Sequence, residues 1–425
     1  MTDGGRLMMN WIYGLADMQS FYASCEVASR PEFALKRRED DDNSDPALVV
    51  AGDPKRRTGI ILAATPPAKH LGVSTAMTLG EALQLAPDLI VVRPRMEFYL
   101  QVSVRIQLLM KQLFPLQEQF SVDEGFFAFP WPSDLFPDPI QAAKELKQAI
   151  WDQFHIRCRV GMSYNKWMAK MANKAAKTMP ERVVWWTEND VTEKLQTLSI
   201  FEMWGLKKRA RVLHDEFQVE TIGDIAKLPL SLVRHRFGVW GEVIHRWSTG
   251  HDASAINPDA YHQPHKGLSH RMTLPRDYEE REEIKVVILE LLDEVTFRVR
   301  AADQKGRRVG LGMTYGSFSG GFYRAKTLDY YTQDTYALYP EVLALLDKYW
   351  NGSSVRAIVV SLDMLQPATS LQLSFFDHAP KREQLIHTVD QLRLRFGEAS
   401  VMRAVSLGRA GQLRDRSRKI GGHYR

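Results

Sequence analysis

Asp123 and Glu124 stand side by side in Gln119-Phe120-Ser121-Val122-Asp123-Glu124-Gly125-Phe126-Phe127, between apolar and aromatic runs that read as strands. Two adjacent carboxylates at a sheet rim can share a hard cation such as Mg²⁺, which prefers oxygen ligands and keeps positions open for substrate phosphates. Asp17 offers a third, closing the apolar run Trp11-Ile12-Tyr13-Gly14-Leu15-Ala16. Three acidic groups on neighbouring strand ends would make a two-metal site. Taken alone, a Ser-x-Asp-Glu turn suits an ordinary solvated hairpin better. Around Asp17 the residue types also suit a nucleoside triphosphate. Its side chain and the Met18 carbonyl can bind metal, and the turn Ser20-Phe21-Tyr22 can point backbone amides at phosphate oxygens. An aromatic ring there would lie under the sugar and collide with a 2′-hydroxyl. Core packing is the competing role for Phe21 and Tyr22, and the favoured one for Phe21. Lys166, Lys170 and Lys174 recur at four-residue spacing on a helix after Gly161-Met162-Ser163, so they share a face. Such a face is ordinarily solvated; beside a carboxylate-metal site it becomes a triphosphate clamp.

These groups need elements to hold them. Strand-like runs at 11–17, 47–52, 59–64, 118–129 and 155–163 alternate with helical patterns at 96–114 and 139–154, giving an α/β unit over 10–177. Within it, residues 28–88 form an inserted lobe with a polar acidic loop at 37–46. Short helices with basic punctuation follow to residue 250. Met203-Trp204-Gly205-Leu206-Lys207-Lys208 and then Thr221-Ile222-Gly223-Asp224 read as helix, hairpin, helix, with Thr221 as a cap. A second hairpin reads at Phe237-Gly238-Val239-Trp240-Gly241. Its glycines either bring backbone amides to a phosphate or mark a plain helix turn. Residues 251–266 lack periodicity and read as a linker. Strand 267–274, helix 280–302, strands 307–315 and 322–329, helix 332–350 and strand 354–363 then make a β-α-β-β-α-β domain with one sheet face free for a partner. In the remaining tail, 384–396 reads as a helix and the arginine-rich end as lacking structure.

Composition agrees. At 425 residues, 44% hydrophobic and 25% charged, the chain has room for several cores. No apolar run reaches the roughly 18 residues of a membrane span, and the amino-terminal patch lacks a signal-peptide cleavage site, so a cytoplasmic protein without membrane partners is expected. Cys25 and Cys158 have no metal-ligand spacing and make no disulfide framework. A net charge of +5, with basic clusters at Lys207-Lys208-Arg209-Ala210-Arg211, at Arg234 and Arg236, and at 409–425, points to a polyanionic partner.

Asp17-Met18-Gln19-Ser20-Phe21-Tyr22-Ala23-Ser24-Cys25-Glu26, Ala68-Lys69-His70-Leu71-Gly72-Val73, Ser121-Val122-Asp123-Glu124 and Gly161-Met162-Ser163-Tyr164-Asn165-Lys166-x-x-Ala169-Lys170 together resemble the motifs of Y-family translesion DNA polymerases, most closely the UmuC-like branch. The resemblance runs in order along nearly the whole chain. It implies an α/β (α+β) right-hand fold: palm at 10–28 and 89–177, fingers at 29–88, a helix-hairpin-helix thumb at 178–250, a linker at 251–266, a little finger at 267–366 and a tail at 367–425. By position it places Asp17, Asp123 and Glu124 as holders of two Mg²⁺ ions, with the Met18 carbonyl. It places Ser20, Phe21, Lys69 and Lys170 at the triphosphate and Tyr22 at the steric gate against ribose. Two departures matter. Pro66 stands where many members have a tyrosine and supplies no hydroxyl, and Lys207 replaces the second glycine of the thumb hairpin.

Gln372, Leu373, Ser374, Phe375 and Phe376 resemble the pentapeptide that binds the β subunit of the bacterial sliding clamp, with Phe375 as a departure. The implied function is template-directed addition of dNTPs to a primer 3′-hydroxyl across damaged templates, at low fidelity and without proofreading. Primer-template DNA and the clamp are the implied partners, with a recombinase or accessory mutagenesis proteins as further ones. The alternatives are a non-catalytic relative that binds DNA and clamp, and a nucleotidyl cyclase on a similar sheet.

Overall fold

From Ile12 onward almost every residue of the first strand is buried, so it must pair on both edges and be covered on both faces. The computed structural model describes residues 10–52, 59–259, 264–368 and 379–424. The chain divides into two units, Met1–His262 and Gln263–Arg425. In the first, the strands are β1 (Asn10–Met18), β2 (Leu48–Ala51), β3 (Ile61–Ala64), β4 (Ile90–Val92), β5 (Leu116–Gln119), β6 (Glu124–Trp131), β7 (Cys158–Ser163) and β8 (Val183–Trp185). The main sheet runs β5-β6-β1-β7-β8, with β1 antiparallel to both β6 and β7. Gly14 makes room for the Phe127 ring, which a Cβ would overlap.

Helix Lys166–Ala176 lies across β7 and β1. Its Trp167, Met168, Ala169, Met171, Ala172 and Ala176 are buried, and Asn165 caps it by accepting from the Met168 amide at 2.8 Å, a contact that contributes about 1 kcal/mol. Contact with the sheet is closest at Gly161, where a Cβ would overlap the Asn173 backbone.

The inserted lobe carries the small sheet β3-β2-β4, whose strand β4 lies past the expected bound at residue 88 because it pairs in parallel with β2, and a helix, Leu79–Leu85, opened by a Thr78–Glu81 capping box. Its loop at 37–46 is only partly solvated. Asp45 is fully buried and accepts from Arg37 Nε at 2.8 Å and from Arg157 Nη1 at 2.8 Å. Both arginines are buried, and they spend their other donors on the carbonyls of Ser24, His155, Arg38 and Asp41. The loop is therefore fastened to the residues leading into β7.

Helices Lys208–Phe217, Ile222–Lys227, Leu230–Phe237 and Val239–Ser248 follow. They share a core of Leu195, Ile200, Leu206, Leu213, Ile222, Ile225 and Ile244 with Trp167 and Met171 of the preceding helix. Thr221 and Asp224 form a capping box. Gly205 (φ 94°) and Lys207 (φ 48°) both take positive φ in the first hairpin. For the lysine, that left-handed backbone costs roughly 1–2 kcal/mol. Residues after 250 return to the main sheet, where the Asn257 amide donates to Glu118 at 2.6 Å.

The second unit is an antiparallel sheet in the order β11-β10-β12-β9, made of β9 (Gly267–Tyr278), β10 (Gln304–Tyr315), β11 (Gly321–Thr332) and β12 (Val355–Asp363). Helices Arg281–Ala301 and Thr335–Tyr349 bury Ile284, Val287, Ile288, Leu291, Leu338 and Val342 in one core with these strands. The arginine-rich end departs from its expected lack of structure. Helix Ala379–Phe396 and the turns after it fold onto this unit: Arg300 pairs with Asp390 (2.6 and 3.0 Å), Arg403 with Asp293 (2.6 and 2.9 Å), and the Gln412 amide donates to Glu290 at 2.9 Å. Several of its arginines answer carboxylates within the same unit. Gln372, Leu373, Ser374, Phe375 and Phe376 lie outside the described residues.

Candidate active site

The carboxylates meet because of strand register. Asp17, near the end of β1, stands opposite Glu124 at the start of β6 and opposite Arg159 on β7. Residues directly opposite one another point to the same face of a sheet. The Met18 amide donates to the Asp123 carbonyl at 2.9 Å, which fixes the turn before β6, and Ser121 Oγ donates to Asp123 Oδ1 at 2.7 Å. The Asp17 carboxyl is pushed up to about 6, first of all by burial. Arg159 pulls it down, while Glu124, by charge and hydrogen bond, and Asp123 push it further up.

Crowded carboxylates of this kind favour a cation between them. Among the described residues no three acidic, His or Cys groups enclose an ion in this conformation. The reason is visible in the partners: Arg159 Nη2 holds Asp17 Oδ2 at 2.5 Å, and Lys170 Nζ holds Glu124. The all-oxygen donor set and its excess of negative charge fit a hard divalent ion, which would take the place of those two cationic groups.

Beside the carboxylates opens a cavity of about 760 Å³, lined by Asp17, Met18, Ser20, Tyr22 and Asp123 on one side. Ala63, Ala64, Pro66, Lys69 and Thr75 of the inserted lobe line it as well, and so do Arg159, Lys177 and Arg182. Ser20 adopts left-handed backbone (φ 49°) immediately before helix Phe21–Ala28 and accepts from Lys69 Nζ at 2.7 Å. Phe21 is buried, so its ring belongs to the core and its amide at the helix start is what it offers the cavity. Tyr22 stacks on Tyr99, with centroids 4.7 Å apart and planes at 19°. Tyr99 is fixed in turn by donating to Glu26 at 2.6 Å, and Glu26 also accepts twice from Arg95. Burial, and then Lys177 and Arg159, lower the Lys69 ammonium below its ordinary value. Mutually repelling cations around an open cavity call for an anion.

Lys170 does not line that cavity, and the three-lysine clamp is not formed. Lys166 is held by Glu118, Lys170 by Glu124 and Lys174 by the Glu202 carbonyl. Eight residues of helix span about 12 Å, too far for one triphosphate, so each lysine serves a separate partner. Of the cations that do reach the cavity, Lys69 was named from its motif, whereas Arg159, Lys177 and Arg182 were missed. One signal was available: Arg159 is a charged residue within the otherwise apolar run Cys158-Arg159-Val160-Gly161-Met162.

Residues 16–174 match the impB/mucB/samB family, and residues 265–375 match the impB/mucB/samB family C-terminal domain. The chain is 37% identical over 422 residues to DNA polymerase IV 2 of Halalkalibacterium halodurans, covering 98% of this chain and 100% of that protein. It is 35% identical over 423 residues to DNA polymerase IV 2 of Bacillus subtilis, covering 99% and 100%. To DNA polymerase IV of Pelotomaculum thermopropionicum it is 38% identical over 403 residues, covering 95% and 97%. A solved Y-family DNA polymerase chimera of Dbh and Dpo4 has the same fold, with a TM-score of 0.67 at 22% identity over 84% of this chain and 99% of that one. With a right-hand fold and relatives matched along almost their full lengths, the chain belongs to the Y family of translesion DNA polymerases, which are DNA-directed DNA polymerases.

Proposed function

We propose that this chain extends a primer by two-metal nucleotidyl transfer, placing nucleotides opposite damaged template bases. The observation that carries the reading is the convergence of Asp17, Asp123 and Glu124 beside a cavity lined by Lys69, Lys177 and Arg182. Asp17, Asp123, Glu124 and the Met18 carbonyl would hold two Mg²⁺ ions, whose chemistry when bound is Lewis-acid activation of the 3′-hydroxyl and stabilisation of the leaving oxygen. The chain's own residues do the positioning. Lys69, Lys177 and Arg182 neutralise the triphosphate, and the amides at the start of helix Phe21–Ala28 add donors. Ser20 holds Lys69 toward the phosphates. Tyr22, held flat by Tyr99, lies under the sugar and excludes a 2′-hydroxyl. Lys170 holds Glu124 in its orientation by an ion pair.

Small side chains at Ala63, Ala64 and Thr75 border the place of the nascent base pair. They leave space for a distorted template base, at the expense of fidelity. The hairpins at Gly205 and Gly238, with their flanking basic residues, hold primer-template DNA by its phosphates. The peptide at 372–376 recruits the sliding clamp.

Primer extension with dNTPs and Mg²⁺ tests the reading. Extension by the natural protein, and its loss by at least about 10³-fold in Asp123→Ala/Glu124→Ala, is expected from removing charge stabilisation at the reacting centre. Equal extension by both proteins would reject it.

A further inference from the structure

Arg159 has a place in the site that the nucleotide-binding roles above do not use. Its guanidinium reaches across from β7 to Asp17, and its Nε donates to Asn173 Oδ1 at 3.0 Å. Asn173 is itself fixed, because its amide nitrogen donates to the carbonyls of Leu15 (2.9 Å) and Arg159 (3.1 Å), which leaves its oxygen facing the arginine. The guanidinium is thus held at Nε by Asn173 and at Nη2 by Asp17, and Arg159 lines the same cavity as Lys69 and Lys177. Among the described residues its Nη1 makes no hydrogen bond. On the lobe side of the same cavity stands Pro66, which offers no hydroxyl.

We propose that Arg159 is a positioning residue with two successive partners: Asp17 before the metal ions arrive, and the β- or γ-phosphate of the incoming nucleotide afterwards. A divalent ion on Asp17 and the guanidinium compete for the same carboxylate oxygen, so the ion displaces it. A freed arginine, still anchored at Asn173, finds a phosphate within the cavity it already lines, and its planar fork suits phosphate oxygens. It thereby supplies the contact that Pro66 cannot. Two consequences follow by linkage. Metal binds weakly without nucleotide, because it must break an ion pair, and nucleotide tightens metal by giving the arginine somewhere to go.

This inference rests on the polymerase reading, and equilibrium binding to the full-length chain separates the two. The measurements are Mn²⁺ affinity of the protein alone, by electron paramagnetic resonance, and affinity for a fluorescent non-hydrolysable dNTP analogue at saturating Mn²⁺. In Arg159→Ala, Mn²⁺ alone is expected to bind several-fold tighter and the analogue about ten-fold or more weaker, as loss of a charge-assisted hydrogen bond gives. Arg159→Gln, which can keep a bond to Asn173, should show the same opposite shifts, and Arg159→Lys should retain most of the analogue affinity. Both affinities unchanged, or both weakened together, would overturn the proposal, the second result marking Arg159 as a mere support for Asp17. A natural protein that binds no nucleotide with Mn²⁺ would overturn the polymerase reading as well.

Discussion

Glu26 is the buried foundation beneath Tyr99 and Tyr22, and its removal makes a quantitative test. Its side chain is fully buried and accepts from Tyr99 Oη at 2.6 Å, from Arg95 Nε and Nη2 at 2.9 Å each, and from Arg30. The Tyr99 bond, neutral donor to buried charge, contributes about 1.5–3 kcal/mol. Arg95 and Arg30 are 45% and 27% exposed, so water can take over from the carboxylate, and their share is screened to about 0–1 kcal/mol. Glu26→Ala is therefore expected to cost about 1.5–4 kcal/mol, read by urea unfolding followed through tryptophan fluorescence. With Tyr99 loosened, Tyr22 loses its backing, and the preference for dNTP over rNTP in single-nucleotide insertion should fall.

The pH dependence has a definite sign. Burial alone would raise the Glu26 carboxyl, but hydrogen bonds from Arg95, Tyr99 and Arg30 outweigh it and hold it below the ordinary 4.5. As pH falls the unfolded chain takes up this proton first. Stability from Glu26 is complete above pH 4.5 and drains away as pH drops through the folded-state value. Glu26→Gln should lose that part of the acid sensitivity. A Glu26→Ala protein that unfolds within about 0.5 kcal/mol of the natural one and keeps its sugar preference would refute the reasoning.

Further outcomes follow from the same geometry. Lys177→Ala should weaken binding of a dNTP analogue by about ten-fold, while Lys170→Ala should leave that affinity nearly intact and lower the rate of insertion; pre-steady-state insertion kinetics separate the two. Gly161→Ala forces helix Lys166–Ala176 away from β7, and a loss of about 1–3 kcal/mol is expected in thermal unfolding. Gln372, Phe375 and Phe376 changed together to Ala should leave distributive extension unaltered and abolish stimulation by the sliding clamp, checked with clamp-loaded primer-template.

The carboxylates were legible because the pleat fixes them: an apolar strand that ends in Asp17 and another that begins at Glu124 can pair in few registers that bury both. Of the cations, only Lys69 was read at the cavity it lines. Lys170 shares a helix face with Lys166 and Lys174, but spacing gives a direction and says nothing of what waits there, and three separate acceptors were waiting. Arg159 owes its position to pairing between β1 and β7, roughly 140 residues apart in the chain, which no local pattern encodes. The acidic loop at 37–46 showed no partner in the sequence because that partner, Arg157, is more than a hundred residues away. For the same reason the carboxyl-terminal end read as lacking structure, until helix Arg281–Ala301 supplied Asp293 to Arg403 and Glu294 to Arg416.

The Arg37–Asp45–Arg157 cluster gives the protein two kinds of electrostatics with opposite responses to ionic strength. Phosphate contacts made by exposed lysines and arginines release counterions and weaken steeply as salt rises, whereas charges sealed from solvent are screened little. Raising salt should therefore strip DNA from the protein while the lobe stays fastened to the main sheet. Recapture after dissociation then starts from a cavity whose walls never came apart.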